Sequence, residues 1–424
     1  MKIRFLKTIT VQSNLQIEQA IALRQNDRSI LVLEKSSMNK EVGALISLQP
    51  NASKIMDGWN MAPFLEAKKP MVDQAFRLLN VEGKLQVEMK LDSAQFGADR
   101  MLYHRQDLHD ALRRAATSES MPGSPAVIRT SSGVIGCDCE TGVVSLGDAT
   151  YVRGNVVIGA DGIRSVIRDE VVKGTKSEGS KALPTGLSAY RILVETAKLP
   201  KLDVSADIFN LERSATTMIV GNDRRVIMGP GRGGEMFGLV CLVPDPNPNT
   251  KGTSWDNPAS IEDVLDAFKA FPSWTQEIMS HAPDVALWQL RDIDALTTWT
   301  KGRAILIGDA AHAMLPTQGQ GASQSIEDAE ALQAYLFDMG RDATINDVQQ
   351  RLHAVFSARY GRASLIQAYS RQQARPAASE DNKTVKLNPQ EFVEYNCNYS
   401  GALDWVQRNR KAEAEAYKQT AARA

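Results

Sequence analysis

Ala304-Ile-Leu-Ile-Gly-Asp-Ala-Ala-His-Ala-Met-Leu-Pro-Thr-Gln-Gly-Gln-Gly-Ala-Ser-Gln-Ser-Ile-Glu-Asp-Ala329 decides how this chain is read. The apolar run at 303–307 has the composition of a strand buried on both faces, as in a parallel sheet. It delivers an acid, Asp309, to its carboxyl edge, where open α/β sheets bind ligands. Pro316, Gly319 and Gly321 then make a loop that permits close backbone approach. A helix over about 321–338 begins there, with its amino end aimed at the same place. A capped turn explains a short motif of this kind, but the run through Asp328 is too long for that reading alone.

A second segment, 156–168, repeats the architecture. A buried strand ends at Gly159, Asp161 follows, and 165–168 open a helix. By itself this Gly-Ala-Asp-Gly is equally a capped turn. Nearer the amino end, a β-rich stretch at 3–10 precedes apolar residues at helical spacing, Leu15 to Leu23. The run 29–34 then ends in Glu34, completing a βαβ unit of about 30 residues. Residues 107–117 read as helix and 125–158 as short strands. The stretch 185–292 alternates as strands do, notably at 225–228 and 237–243, with a surface loop at 244–250. Beyond 345 the chain reads as mostly helical, with a loop at 371–390 and a solvated helix after 405. The fold class is α/β.

Composition narrows function little. The 424 residues carry 49 Lys+Arg against 50 Asp+Glu, a net charge of -1 that argues against a nucleic-acid binder. The four cysteines are too few for a disulfide scaffold, and Cys137 and Cys139 lack the second pair a zinc site needs. No apolar run is long enough to span a bilayer, and residues 1–16 lack the apolar core of a signal peptide, so the expectation is a cytoplasmic protein with no integral membrane segment.

Taken together, these motifs resemble the group A FAD-dependent monooxygenases, particularly the salicylate-hydroxylase-like enzymes of fungal secondary metabolism. The family's DG motif matches 159–165, and its GD motif matches 308–312 with the Gly319–Gly321 loop. Glu34 matches the acid on the adenosine ribose of FAD, and Arg105 an FAD-contacting arginine. Residues 41–51, with Leu45, resemble the loop that approaches the flavin. The resemblance implies that Asp161 and Asp309 bind cofactor, Asp309 on the ribityl chain. The helix opening at Gly321 and Ala322 would face the flavin pyrimidine edge. Arg191 resembles a functional arginine near the flavin and is the catalytic candidate, although a strand-edge surface arginine is equally compatible with the sequence.

The implied fold is a discontinuous Rossmann-type FAD domain (1–75, 101–180, 293–365). An inserted, mostly antiparallel substrate sheet (76–100, 181–292) and a helical segment at 366–424 complete it. The implied reaction uses NAD(P)H and O2 to hydroxylate or epoxidise a small aromatic, polyketide-like or terpenoid-like molecule. Alternatives are a flavin-free relative that binds or cyclises a hydrophobic intermediate, and a flavin reductase that inserts no oxygen.

One element departs from the family. Its Gly-x-Gly-x-x-Gly would fall at Val11, Ser13 and Gln16, and none is Gly. Either ordinary FAD binding is lost on a kept scaffold, or residues 1–19 are a misjoined segment that replaces the true first strand and loop. Leu45 is a second departure, at a point where Gly is common. His312, Trp288 and Trp299 read as core residues, and 229–234 as a strand-connecting turn rather than a phosphate loop.

Overall fold

The computed structural model describes residues 6–12, 17–37, 44–246, 256–374 and 384–409. Three stretches far apart in sequence meet in one six-stranded sheet. Its order is Thr300–Lys301, Ala304–Leu306, Val156–Ala160, Leu6–Gln12, Arg28–Glu34 and Val127–Arg129. All neighbours run parallel except the first pair. Both faces are covered, which is why these strands read as continuous apolar runs. On one face Val32, Val156 and Ile158 share a core with helices Glu18–Ala22, Arg105–Thr117 and Gly321–Leu336. On the other, Ile9, Val157 and Leu306 pack with helix Val166–Val172. Gly159 permits that approach, since a Cβ there would lie 2.7 Å from Ile167 Cγ2.

The first strand is present. Thr8 to Gln12 pair with Val156 to Ala160, and Leu6 to Gln12 pair with Arg28 to Glu34. Val11 is therefore a strand residue, 3% exposed, in one cluster with Leu33 and Val157, and not part of a turn. A first strand is thus in place within residues 1–19, and Val11 is in it. The departure lies in the loop, of which Ser13 and Gln16 fall outside the described residues.

An eight-stranded sheet forms the second layer, in the order Asp256–Pro258, Ala286–Asp292, Leu183–Glu195, Met236–Pro244, Arg225–Gly231, Thr216–Val220, Ala75–Asn80 and Leu85–Lys90. It is antiparallel except where Thr216–Val220 meets Ala75–Asn80. Helices Ile261–Ala267 and Ser273–Ser280 bury one face through Phe268 and Ile278. The other face turns toward a short sheet, Leu45–Leu48, Met101–His104 and Met71–Val72.

The expected loop at 371–390 is shorter than read. Helix Ile345–Gln373 runs into it, and helix Pro389–Cys397 closes it. Both helices begin at capping boxes, Thr344 with Asp347 and Asn388 with Glu391.

Candidate active site

Asp309 follows Gly308, whose φ of 55° glycine adopts without strain. A buried charge cluster clamps that turn. Asp328 Oδ2 accepts from Gly308 N at 2.9 Å and from His312 Nε2 at 2.7 Å, while its Oδ1 accepts from Arg359 Nε at 2.8 Å. The neighbouring Glu327 takes Arg362 Nε at 2.7 Å, a second bond from Arg359, and Asn51 Nδ2 at 2.5 Å. Burial alone would raise both acids, yet the arginines and His312 hold them below their ordinary range. His312 also packs on Trp299, ring centroids 5.2 Å apart, so both are core residues as read.

Asp309 itself is pushed up by burial, against His312, Arg105 and Arg168. Arg168 joins the two strand-end motifs, since its guanidinium donates to Ile163 O at 2.6 Å and Ala310 O at 3.3 Å. Asp161 is committed elsewhere. It accepts from Ser165 Oγ, Val166 N at 2.7 Å and Ile167 N at 3.1 Å, and so supports the first turn of helix Val166–Val172 beside its N-cap, Ser165.

Arg105 opens helix Arg105–Thr117, and its N–H donates to Ala44 O at 2.8 Å. Its charge reaches both Asp309 and Arg191. Arg191 lies mid-strand, paired on both sides, with Val240 and with Ala286. It is not the strand-edge arginine that the sequence also allowed. Its guanidinium stands 5.1 Å from the Trp288 ring, and burial, with Arg105 beside it, pushes it down to about 10. Trp288 is thus a half-exposed platform rather than a core residue. Of residues 229–234, read as a strand-connecting turn, Gly229 to Gly231 end strand Arg225–Gly231 and only 232–234 turn, tied down where Arg232 donates to Asp107 at 2.6 and 2.9 Å. Leu45 rests on Gly231 and Gly238 of the eight-stranded sheet.

Sequence reasoning missed Glu18, 2% exposed on the first helix beside Asp309 and Asp328, and the pairing of Arg359 and Arg362 with Glu327. An acid pair on one helix and arginines three apart on the next were the available signals.

Two orphaned polar atoms test whether a dinucleotide cofactor fits. Glu34 Oε1 accepts from Ser36 N at 2.6 Å, but the buried Oε2 finds no hydrogen-bond partner among the described residues. The same holds for Arg105 Nε. At the far end, helix Gly321–Leu336 has no side-chain cap, and a Cβ at Gly321 would meet nothing within 4 Å. These residues fit FAD at both ends.

A family model described as FAD binding domain matches residues 136–346. A FAD-dependent monooxygenase of Aspergillus candidus is 30% identical over 378 residues, covering 87% of this chain and 85% of that protein. The chain belongs to the FAD-dependent monooxygenases. Hispidin-3-hydroxylase of Neonothopanus nambi is 29% identical over 364 residues, covering 83% and 84%. A salicylate hydroxylase substrate complex has the same fold, with a TM-score of 0.78 at 23% identity, covering 95% of this chain and 98% of that one. As a member of this family the monooxygenase takes FAD as its cofactor. Among its described residues no helix is long and apolar enough to cross a membrane.

Proposed function

We propose that this monooxygenase uses NAD(P)H and O2 to hydroxylate a small aromatic substrate, in the manner of a secondary-metabolism enzyme of the cytosol. The observation that carries the reading is convergence. Arg105 is within charge reach of both Asp309, at the end of the central sheet, and Arg191, which stands beside Trp288 on the eight-stranded sheet. Hispidin and salicylate hydroxylases among the similar proteins support an aromatic substrate. Four buried free thiols suit a reducing compartment.

In this reading Glu34 holds the adenosine ribose of FAD, Arg105 contacts the cofactor near Asp309, and Asp309 binds the ribityl chain. Gly321 and Ala322 place a positive helix end where the reduced cofactor carries negative charge. Leu45 borders the cofactor from the flavin-side strand. Asp161 serves the cofactor indirectly, by fixing the helix that carries Arg168. FAD, when bound, supplies the redox chemistry that places one atom of O2 on carbon. Arg191 is the catalytic residue: its guanidinium, poised on Trp288 and largely out of water, holds negative charge that develops on oxygen beside the substrate ring.

The test is NAD(P)H-dependent oxygen uptake with phenols and hydroxybenzoates, followed by mass analysis under 18O2. The expected product gains one labelled oxygen, and Arg191→Met lowers kcat at least a hundredfold while flavin content stays constant. A flavin-loaded protein that converts O2 only to peroxide with every aromatic tried would overturn the reading.

A further inference from the structure

The face that the eight-stranded sheet turns toward the cofactor domain is graded in rows. Arg191, Val240, Ile227 and Met218 lie side by side on four adjacent strands, and all four are half-buried. On the middle strands the rows on either side are closed. Toward one end, Ala189 and Leu242 are buried in a cluster with Leu315 from the loop after Asp309, and Trp288 beside Ala189 is half-buried. Toward the other, Gly231 and Gly238 are buried beneath Leu45 of the flavin-side strand and Gly229 lies near Leu102, while Leu193 beside Gly238 is half-buried.

Leu45 makes that second closure. A Cβ on Gly231 would fall 2.5 Å from Leu45 Cδ2, and one on Gly238 would fall 2.7 Å from Leu45 Cγ. Two neighbouring strands therefore lack side chains where this leucine sits, and its branched end fills the notch. Were residue 45 glycine, three glycines would face one another and the notch would stand open. Gly238 and Leu242 are four residues apart on one strand, or ~13 Å at ~3.3 Å per residue. Subtracting the leucine at each end leaves a half-buried floor of about two residues, ~7 Å, at Val240 and Ile227, whose near edge packs on the Leu242–Leu315 cluster.

We propose that Leu45 is a specificity-determining residue: it closes one end of an apolar slot over Val240 and Ile227 and so limits the substrate to a one- or two-ring aromatic. The inference rests on the aromatic-hydroxylase reading above and sharpens it, because longer fused polycycles and extended polyketide or terpenoid skeletons would need the notch that Leu45 fills. The slot floor is apolar, so ring faces rather than charges are recognised along it, with Arg191 at its edge as the polar contact.

The experiment titrates the FAD-loaded protein with 2-hydroxybenzoate, 3-hydroxy-2-naphthoate and anthracene-2-carboxylate, reading the perturbation of the visible flavin band. The parent should bind the one- and two-ring compounds and lose at least tenfold in Kd at the third ring. Leu45→Ala and Leu45→Gly should each shift the ratio of the three-ring Kd to the 2-hydroxybenzoate Kd, both measured in the same variant, at least tenfold toward the three-ring compound. Using both variants guards against a fold defect in the glycine form. Adding Gly238→Ala to Leu45→Ala refills the notch and should restore the size limit, which a general loosening would not produce. An unchanged ladder in Leu45→Ala, in a protein that still binds 2-hydroxybenzoate, overturns the inference alone. If no ring compound perturbs the flavin of the parent, the aromatic-hydroxylase reading falls and this inference with it.

Discussion

Glu18 is a carboxyl with an unfavourable address. Burial pushes it up to about 8, the N–H groups of Glu18 and Ile17 pull against that, and Asp328 and Asp309 add to it. The folded protein therefore binds a proton at this site between about pH 4.5 and 8 that the unfolded chain has released. Stability from this group is full below the lower pH and is lost as pH rises through the upper one. Glu18→Gln should flatten that decline and melt above the parent at pH 9, by a few kcal/mol in order of magnitude; parallel Tm-against-pH curves would contradict the assignment. Asp309→Ala should weaken FAD retention at least tenfold, the worth of one hydrogen bond to a charged group, while far-UV circular dichroism stays unchanged. Equal flavin content after desalting would refute its role. Asp309 was legible because a strand, an acid and a glycine loop are contiguous in sequence. Arg359 was not, because its partners Glu327 and Asp328 lie 32 and 31 residues away on another helix. The outlook of Trp288 was hidden for a related reason, since strand alternation names two faces but not which one meets solvent.

Among elements, helix Arg105–Thr117 shows how an end can be finished from a distance. Its last carbonyls and the loop after it converge on Arg24, which donates to Ala115, Ala116, Ser118, Met121, Pro122 and Gly123. A cation at a helix carboxyl end also opposes the macrodipole. Arg24→Ala should cost about 3 kcal/mol in urea unfolding, because several buried carbonyls lose their donor together; a loss below about 1 kcal/mol would mean water replaces the guanidinium. The helix itself was readable from its apolar spacing, and its anchor was not. Strand Leu6–Gln12 teaches the complementary lesson. Val11 stands where a family glycine would turn the chain, and the expected strand at 3–10 stops short of it. Pairing with Gly159 on one side and Leu33 on the other keeps it extended, and such partners carry no local signature.

At the scale of the whole molecule, FAD binding should act on every layer at once. With FAD at 100 times its Kd the folded state gains about 2.7 kcal/mol, so Tm should rise on adding FAD to stripped protein. No rise at saturating FAD would contradict the cofactor assignment. The buried and the alternating strands were legible from sequence, because the runs differ in period, continuous in one and alternating in the other, while the antiparallel substrate sheet was implied by the family resemblance. The parallel join of Thr216–Val220 to Ala75–Asn80 was not, since 140 residues separate the partners Thr216 and Phe76 numerically and nothing local marks the match. The central sheet has a consequence for the birth of the protein. Its neighbours are drawn from the beginning, the middle and the last third of the chain, and the clamp on Asp309 waits for Arg359. A ribosome adding ~5–20 residues each second needs ~18–70 s to travel from the first strand to that arginine. During that interval the amino-terminal strands have emerged without their full set of neighbours, a state that chaperones rather than cofactor must shelter. Flavin loading on this scaffold therefore waits until the chain has been made at least through Arg359.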